Sequence, residues 1–192
     1  DGDGYVIYPV SNGNLWNPHT IKMNNLSILS RPDNFGINFF SDSIKSAGSA
    51  SVEVPTSSSY SAIEFWFRPE NIITSPAAAS SFVINNGSSS TTEPALWISS
   101  TGKLGFIGSS LYVNGASVTN GTFTASVGEL YHIVLTTSSP RTDGFYLNGY
   151  NWSSGSYISP GATYGFVQIW GYSPSSTSVL NRYNSFIQPA NI

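Results

Sequence analysis

Cysteine is absent from this chain of 192 residues, and charged residues are scarce. Without cysteine there is no disulfide, no thiolate metal site and no cysteine nucleophile, which argues against the disulfide-rich class of small secreted domains. Charged residues make up 9% of the sequence, well below the usual quarter. The net charge of −3 leaves no basic patch, so we do not expect the chain to bind nucleic acid through its phosphates.

Long apolar runs are also absent. No segment approaches the roughly 20 residues of a transmembrane helix, and no polybasic or amphipathic stretch suggests binding to a membrane. The sequence begins with Asp1 and shows no signal-peptide pattern, so we expect a processed chain or a piece of a longer protein. Ser, Thr, Asn and Gly supply the polarity instead of charge, a composition common on exterior surfaces. It favours an extracellular or virion-surface location.

Hydrophobic and aromatic residues, at 40% and 14%, are frequent enough to predict a packed core. From Gly36 onward the pattern is all-β, with roughly a dozen short alternating runs between turn signals. In the clearest run, Ile63, Phe65 and Phe67 share one face, and Glu64, Trp66 and Arg68 share the other. The one predicted helix spans Ser176 to Phe186. This pattern predicts a sandwich of two sheets or a barrel.

The segment from Gly128 to Gly155 organises the predicted sheets. Tyr131, Ile133 and Leu135 alternate with less apolar neighbours, which predicts a strand, and Ser138 to Gly144 predicts a loop. Asn148-Gly149 predicts a type I′ hairpin turn with a return strand from Tyr150. Residues 1–35 have few strand signals and many turn signals. We therefore predict an extended N-terminal arm over residues 1–35 and a β-sandwich over residues 36–192.

Four segments follow one another in the sequence: SVEVPTSSSYSAIEFWFRPENI, LWISSTGKLGFIG, GELYHIVLTTSSPRTDGFYLNGYNWSSG and VQIWGYSPSSTSVLNRYNSF. Taken in this order, they resemble the laminin G-like branch of the concanavalin A-like lectin/glucanase superfamily. Three positions depart from the family pattern: Tyr131 stands where Trp is usual, Arg182 replaces a His, and Phe166-Val167-Gln168 replaces an Asp-Glu start. The resemblance implies an antiparallel two-sheet jelly-roll sandwich. It also implies a module that binds glycans or proteins without chemistry, as in adhesins and phage appendages.

Residues for catalysis are poorly represented. Glycoside hydrolysis needs two carboxylates about 5–10 Å apart, and the E-x-D-x-x-E strand pattern of the glucanase branch is missing. We expect Glu64 to pair with Arg68 on one strand face. The chain has two histidines, His19 and His132, and no G-x-S-x-G elbow. We predict that His132 occupies a structural position, that no residue is catalytic and that the chain is not an enzyme.

Sugar recognition is the sharper hypothesis, because sugars stack on aromatic rings and bind amide, carboxyl and hydroxyl groups. Trp66 and Trp97 are predicted to be core residues, whereas Trp170 and Tyr172 share a strand face with Gln168. Zinc is unsupported and no cofactor is predicted. Calcium stays open, with loop oxygens such as those of Asp143 and Asn148 as ligands. The predicted ligand-binding residues are Asp143, Asn148, Tyr150, Asn151 and Trp152.

These observations predict a recognition or structural module on an exterior surface. The first hypothesis is a virion appendage or decoration protein, such as a phage tail fibre, spike or head protein, that binds host glycans. Its partners would be glycans or other virion and surface proteins, within a larger assembly or a homo-oligomer. The alternatives are a cellular adhesin or the carbohydrate-binding module of a secreted enzyme, and, third, a glycoside hydrolase with unusual carboxylates.

Overall fold

The computed structural model describes residues 22–24, 37–39, 51–54, 58–72, 81–86, 93–148 and 162–187. No helix within these ranges combines the length and the apolar character that crossing a lipid bilayer requires. The described elements are the strands β1 Lys22–Asn24, β2 Ile37–Phe39, β3 Ser51–Val54, β4 Tyr60–Pro69, β5 Ser81–Asn85, β6 Ala95–Ile98, β7 Leu104–Ile107, β8 Ser110–Val113, β9 Ala116–Val118, β10 Tyr131–Arg141, β11 Phe145–Leu147 and β12 Ala162–Trp170, and the helix α1 Ser176–Ile187.

The strands form two six-stranded sheets. Sheet A has the order β1-β3-β11-β5-β6-β7, and sheet B has the order β2-β12-β4-β10-β8-β9. The paired strands are antiparallel. This architecture confirms the predicted all-β sandwich with one short C-terminal helix. β10 lies at the centre of sheet B and β11 at the centre of sheet A, so the organising segment contributes a central strand to each sheet.

The hydrophobic core lies between the inner faces of the two sheets. Ile63, Phe65 and Phe67 of β4 are fully buried there, as their alternation predicts. The Tyr164 hydroxyl on β12 donates a hydrogen bond to the Val83 carbonyl on β5 across the core, at 3.1 Å. Full burial of one large apolar side chain, such as Ile63 or Phe65, contributes about 1.5–3 kcal/mol to the free energy of unfolding. The remaining core residues include Val54, Tyr60, Ile84, Leu96, Ile98, Leu104, Leu111, Val113, Tyr131, Ile133, Leu135, Phe145 and Leu147.

A bulge in β12 decides which of its side chains face away from the core. Gly165 is opposite Trp66 on β4, but Gln168 is opposite Glu64. Over this stretch β12 therefore contains one more residue than β4, which defines the bulge. The extra residue shifts the alternation along the strand. Gln168 and Trp170 consequently lie on the outer face of sheet B beside Glu64.

The hairpin between β8 and β9 turns at Asn114-Gly115, a second Asn-Gly pair whose sequence predicts a type I′ turn, and the structure confirms it. Asn114 and Gly115 have positive φ angles of 52° and 80°, as a type I′ turn requires. Gly115 also meets helix α1, because a Cβ at this position would lie 2.9 Å from Leu180 Cδ1. The turn therefore needs glycine for both its backbone angle and the close approach of the helix.

Helix α1 covers part of the outer face of sheet B. Ser175 caps it, since its Oγ accepts a hydrogen bond from the Ser178 N–H at 3.2 Å. Val179 is the helix residue that packs into a second, smaller apolar cluster on this face, together with Ala62, Tyr112, Val134 and Trp170. The predicted helix is confirmed, and its packing explains why the outer face of sheet B is partly apolar.

Two local predictions are wrong. The predicted loop from Ser138 is shorter, because β10 continues to Arg141 and leaves residues 142–144 as the connection to β11. Phe123–Ala125 is one of the short runs that the all-β pattern predicts as strands, but it contributes only an isolated bridge between Thr124 and Lys103. In both places the backbone partner of the segment, which decides between strand and loop, is remote in sequence.

The predicted hairpin after β11 is also contradicted. Asn148 does have the positive φ angle, 61°, that the Asn-Gly signal implies. However, β11 pairs with β3 on one side and with β5 on the other. Both edges of Phe145–Leu147 are therefore occupied, and a return strand cannot pair with them as a hairpin partner would. Tyr150, where the return strand was expected, lies outside the described residues.

Part of the predicted N-terminal arm belongs to sheet A. Lys22–Asn24 forms β1 and pairs with Ser51–Glu53 of β3. The rest of residues 1–35 lies outside the described ranges. The boundary between arm and sandwich stays a prediction.

Candidate functional site

A buried carboxylate lies at the centre of the outer face of sheet B. Glu64 is 0% exposed. Its oxygens accept hydrogen bonds from His132 Nε2 at 2.8 Å and from Trp170 Nε1 at 3.0 Å. Arg182 Nε lies 2.8 Å from each of the two oxygens. A buried carboxylate is tolerated when it is paired and hydrogen-bonded in this way.

Three strands and the helix bring these groups together. Glu64 is on β4, His132 is one diagonal step away on β10, and the bulge in β12 turns Trp170 to the same side. Arg182 reaches the carboxylate from α1, and its Nη2 donates to Gln168 Oε1 at 2.7 Å. The ion pair therefore ties the helix to the two central strands and to β12.

Aromatic rings enclose the imidazole of His132. Its ring stacks on Tyr183 with 5.9 Å between centroids, and Trp66 and Phe186 lie at 5.1 and 5.7 Å. Its Nε2 is assigned as the donor to Glu64, and its Nδ1 is buried without a hydrogen-bond partner among the described residues. The prediction of a structural histidine agrees with this geometry. The imidazole and the carboxylate are withdrawn from solvent, and what they hold in place is helix α1.

The predicted Glu64–Arg68 pair is wrong. Arg68 instead binds Glu70, with Nε and Nη2 at 2.8 and 2.7 Å from Oε1. Glu64 takes its cation from Arg182, which is 118 residues further along the chain. Parity along one strand could identify the face of Glu64, but it could not identify a partner that arrives on a helix.

A second group of polar residues, which we call the rim cluster, joins strand ends of sheet B to segments next to sheet A. Its members are Tyr60 of β4, Ser138 and Arg141 of β10, Glu93 before β6 and Asp143 between β10 and β11. Arg141 Nε donates to Asp143 Oδ1 at 2.9 Å, and Nη2 donates to Oδ2 at 2.6 Å. This two-point hydrogen bond lowers the pKa of Asp143 and raises the pKa of Arg141. The side chain of Asp143 is 42% exposed, so the ion pair faces solvent.

Glu93 joins the two sheets at the rim. It precedes β6 of sheet A, and its Oε2 accepts hydrogen bonds from both N and Oγ of Ser138 on β10, each at 2.9 Å. The Glu93 carbonyl accepts a further bond from Asn86 Nδ2 at 3.0 Å. The carboxylate is thereby fixed in place, with its other oxygen, Oε1, unpaired within the described part of the chain.

Tyr60 is the buried member of the rim cluster. It is opposite Arg141 in the β4–β10 ladder, and its ring packs on Phe145, two residues after Asp143. The hydroxyl is buried and has no hydrogen-bond partner among the described residues. Burial raises the pKa of Tyr60, the Asp143 carboxylate adds to the increase, and Arg141 opposes it. The hydroxyl is thus close enough to the pair to feel both charges.

The structure does not bring the predicted binding residues into one site. Asp143 is exposed at the start of β11, whereas Asn148 is fully buried at its end, where its N–H donates to the Val83 carbonyl at 2.9 Å. Five residues of extended chain separate the two by about 15 Å. They cannot bind one calcium ion, whose oxygen ligands lie about 2.3–2.6 Å from it. Tyr150, Asn151 and Trp152 lie outside the described residues, and their role stays a prediction.

The tryptophans on the two sheets lie on outer faces. Trp66 and Trp97, predicted as core residues, are each half-buried: Trp66 lies beside His132, and Trp97 covers Gly105 of sheet A. Trp170 makes an edge contact with Tyr172, 5.4 Å between centroids, and Tyr172 is strongly exposed. Trp170 uses its N–H for Glu64, so Tyr172 is the solvent-facing ring of this pair. Among the described residues no three His, Cys, Asp or Glu side chains converge as metal ligands would.

Sequence comparisons identify no relatives: no family model and no curated protein matches the chain. Among solved structures, a Trypanosoma rangeli sialidase in complex with sialic acid is similar at 12% identity and a TM-score of 0.54. That likeness covers 93% of this chain and 32% of the sialidase chain. A mutant of HCR/D is similar at 10% identity and a TM-score of 0.45, over 87% of this chain and 46% of the other. The sialidase likeness concerns the fold, and it agrees with a β-rich two-sheet sandwich.

Proposed function

We propose that the chain is a non-catalytic recognition or structural module with a concanavalin A-like, laminin G-like jelly roll. The observation that carries the proposal is the burial of Glu64 beneath helix α1. Glu64, which contacts the one imidazole among the described residues, is sealed beneath α1, whereas Asp143 is exposed at the rim. A glycosidase needs carboxylates that reach the scissile bond. The Glu64 carboxylate accepts hydrogen bonds from His132, Trp170 and Arg182, and these contacts support a role in anchoring helix α1.

The ligand that we propose is a glycan. Hydroxyl and amide side chains dominate the polar part of the sequence, and charged residues amount to 9%. Such a surface suits ligands that are bound through hydrogen bonds and ring stacking rather than through net charge. Asp143 stands on a short connection between central strands of both sheets, so its position is well supported by the sandwich.

The setting that we propose is the exterior of a virion, in an appendage or decoration protein such as a phage tail fibre, spike or head protein. The low charge and the family resemblance support this setting. The predicted N-terminal arm, apart from Lys22–Asn24 in sheet A, would connect the sandwich to neighbouring proteins of the assembly, and the rim cluster would face the host surface. Co-purification of the chain with intact particles, together with labelling by an antibody against the sandwich, tests this placement. Failure to find the chain in any particle would remove the virion setting and leave the adhesin alternative.

A glycan array tests the recognition function. We expect the wild-type protein to bind a restricted set of glycans, and Trp152→Ala to weaken binding at least tenfold, because sugar rings stack on the faces of aromatic side chains. Tyr172→Ala is the matched control, since it removes an exposed aromatic ring outside the predicted binding residues. Absence of binding to every neutral and acidic glycan would contradict the proposal. Equal losses in both variants would contradict the role of Trp152.

A further inference from the structure

We infer that the rim cluster is a glycan-binding site and that it selects uncharged sugars that carry two neighbouring hydroxyl groups. The inference rests on the proposed function, and it assigns Glu93 and Arg141 to the site beside Asp143. The geometry of the Arg141–Asp143 pair is the starting point. Arg141 grips the carboxylate through Nε and Nη2, and this holds Asp143 in one orientation at the surface.

The pair offers acceptors and a donor side by side. A carboxylate oxygen has two lone pairs, so a carboxylate that holds a guanidinium can also accept a sugar hydroxyl. The third guanidinium nitrogen, Nη1, is unpaired within the described part of the chain, and it can donate to a sugar oxygen. Two neighbouring hydroxyls of a pyranose present this combination of donors and acceptors.

Glu93 extends the site along the rim. Ser138, which fixes the Glu93 carboxylate, is three residues from Arg141 on β10. Three residues of strand span about 10 Å, so a short oligosaccharide can contact both Asp143 and Oε1 of Glu93. Hydrogen bonds to Ser138 leave Glu93 little freedom to move, and binding at this end costs correspondingly little side-chain entropy.

The buried hydroxyl of Tyr60 is an independent sign that the rim cluster is more than a surface ion pair. Buried polar groups without a hydrogen-bond partner are rare, and they often mark a functional position. Tyr60 is 0% exposed and is opposite Arg141. The partly exposed ion pair Arg68–Glu70 differs in its neighbouring hydroxyl. There the Thr163 hydroxyl has a partner, because it donates a hydrogen bond to Glu70 at 2.7 Å.

The charges of the rim cluster indicate which sugars fit. Glu93 and Asp143 contribute two negative charges, and Arg141 contributes one positive charge that Asp143 already neutralises. Glu93 lies within electrostatic range of Arg141, because it contributes to the raised pKa of that guanidinium. A sugar carboxylate would therefore meet net repulsion, whereas an uncharged sugar would not.

An array that prints each neutral oligosaccharide beside its sialylated or uronic-acid form tests the site. We expect wild type to prefer the neutral member at least fivefold, and Asp143→Asn and Arg141→Gln to lose at least tenfold. Glu93→Gln is expected to reduce the discrimination against acidic members. Glu70→Gln is the matched control at an ion pair of similar exposure, and we expect it to leave binding unchanged. Periodate cleavage of neighbouring hydroxyls in the bound glycan is expected to abolish binding.

The outcomes separate the site from the function. A preference for acidic glycans, or equal losses in Asp143→Asn and Glu70→Gln, would overturn the inference and leave the proposed function intact. So would full binding by Asp143→Asn together with loss in Trp152→Ala. Absence of glycan binding by wild type would overturn both. If Asp143→Asn fails to fold, Arg141→Lys replaces it, because lysine keeps the charge but not the two-point grip.

Discussion

Glu64 shows how much a single residue depends on partners that are remote in sequence. Its burial on the outer face of sheet B would be costly without compensation, and Arg182 supplies the balancing charge from the helix. His132 and Trp170 donate further hydrogen bonds to the carboxylate. The Glu64 carboxylate therefore attaches helix α1 to a central strand of sheet B.

Removal of Arg182 should expose this dependence. Arg182→Met leaves a buried carboxylate without its cation, and we expect the free energy of unfolding to fall by about 3 kcal/mol. The matched control is Arg68→Met, which breaks a partly exposed ion pair and should cost less than about 1 kcal/mol. Urea unfolding at neutral pH measures both values.

The double variant Glu64→Gln/Arg182→Met separates the charge from the packing. If the buried charge is the main penalty, the double variant is more stable than Arg182→Met alone, and the cycle shows coupling above about 1 kcal/mol. Additive losses would show that Arg182 contributes mainly by covering Trp170 and Phe186, over which its guanidinium lies at 5.2 Å.

The Arg141–Asp143 pair gives stability a dependence on acid pH. The hydrogen bonds from Arg141 hold the pKa of Asp143 below its usual value in the folded protein. Its contribution is therefore fully present above about pH 4 and is lost as the pH falls through the lowered value. Because the pair is exposed, the contribution is under about 1 kcal/mol.

We expect Asp143→Asn to be less stable than wild type at pH 7 and nearly equal to it at pH 2. Thermal unfolding of both proteins across this range measures the difference. The exposed neighbour Thr142 provides the control, since Thr142→Asn should leave a constant difference from wild type. A gap between Asp143→Asn and wild type that stays the same at every pH would contradict the assignment.

At the scale of elements, the alternation of apolar residues predicted the strands well, whereas the Asn-Gly turn signals predicted one hairpin correctly and one wrongly. The inner face of β4 and the position of α1 follow from periodicities of two and 3.6 residues, which are local properties. The Asn114-Gly115 hairpin forms as predicted, whereas a hairpin at Asn148-Gly149 is prevented because β3 and β5 occupy both edges of β11. A turn signal reports backbone angles, and strand pairing is decided by segments elsewhere in the chain.

The contact between the β8–β9 turn and helix α1 yields a prediction about glycine. Gly115→Ala forces a side chain into a positive φ and against Leu180, so we expect a loss of about 2–3 kcal/mol. Gly128→Ala has a similar φ of 83° but no atom within 4 Å of the new Cβ, and it should cost about 1 kcal/mol. Urea unfolding measures both losses of stability. Equal losses would show that helix α1 moves to make room for the new side chain without a loss of free energy.

At the scale of the whole molecule, the sequence was sufficient for the all-β class and insufficient for the site. The rim cluster assembles Tyr60, Glu93 and Asp143 from three separate parts of the chain, and only Asp143 was predicted as a binding residue. Arg141 two residues before Asp143 was the available local signal, because alternate residues in an extended chain share one side. Glu93 had no such signal, since the pairing of the two sheets brings it to Ser138.

The proposed absence of catalysis is tested at the same scale, because hydrolysis by Glu64 would require this carboxylate to leave its partners and reach a substrate. We expect incubation with β-glucans to release no reducing ends above the background of a heat-inactivated sample. Glu64→Gln and Glu70→Gln serve as a matched pair, one buried beneath α1 and one partly exposed. Sustained turnover that is lost in a folded Glu64→Gln protein and kept in Glu70→Gln would contradict the proposed function. It would mean that helix α1 moves away from sheet B during the reaction, since the carboxylate cannot contact a sugar while Arg182 and Trp170 hold it.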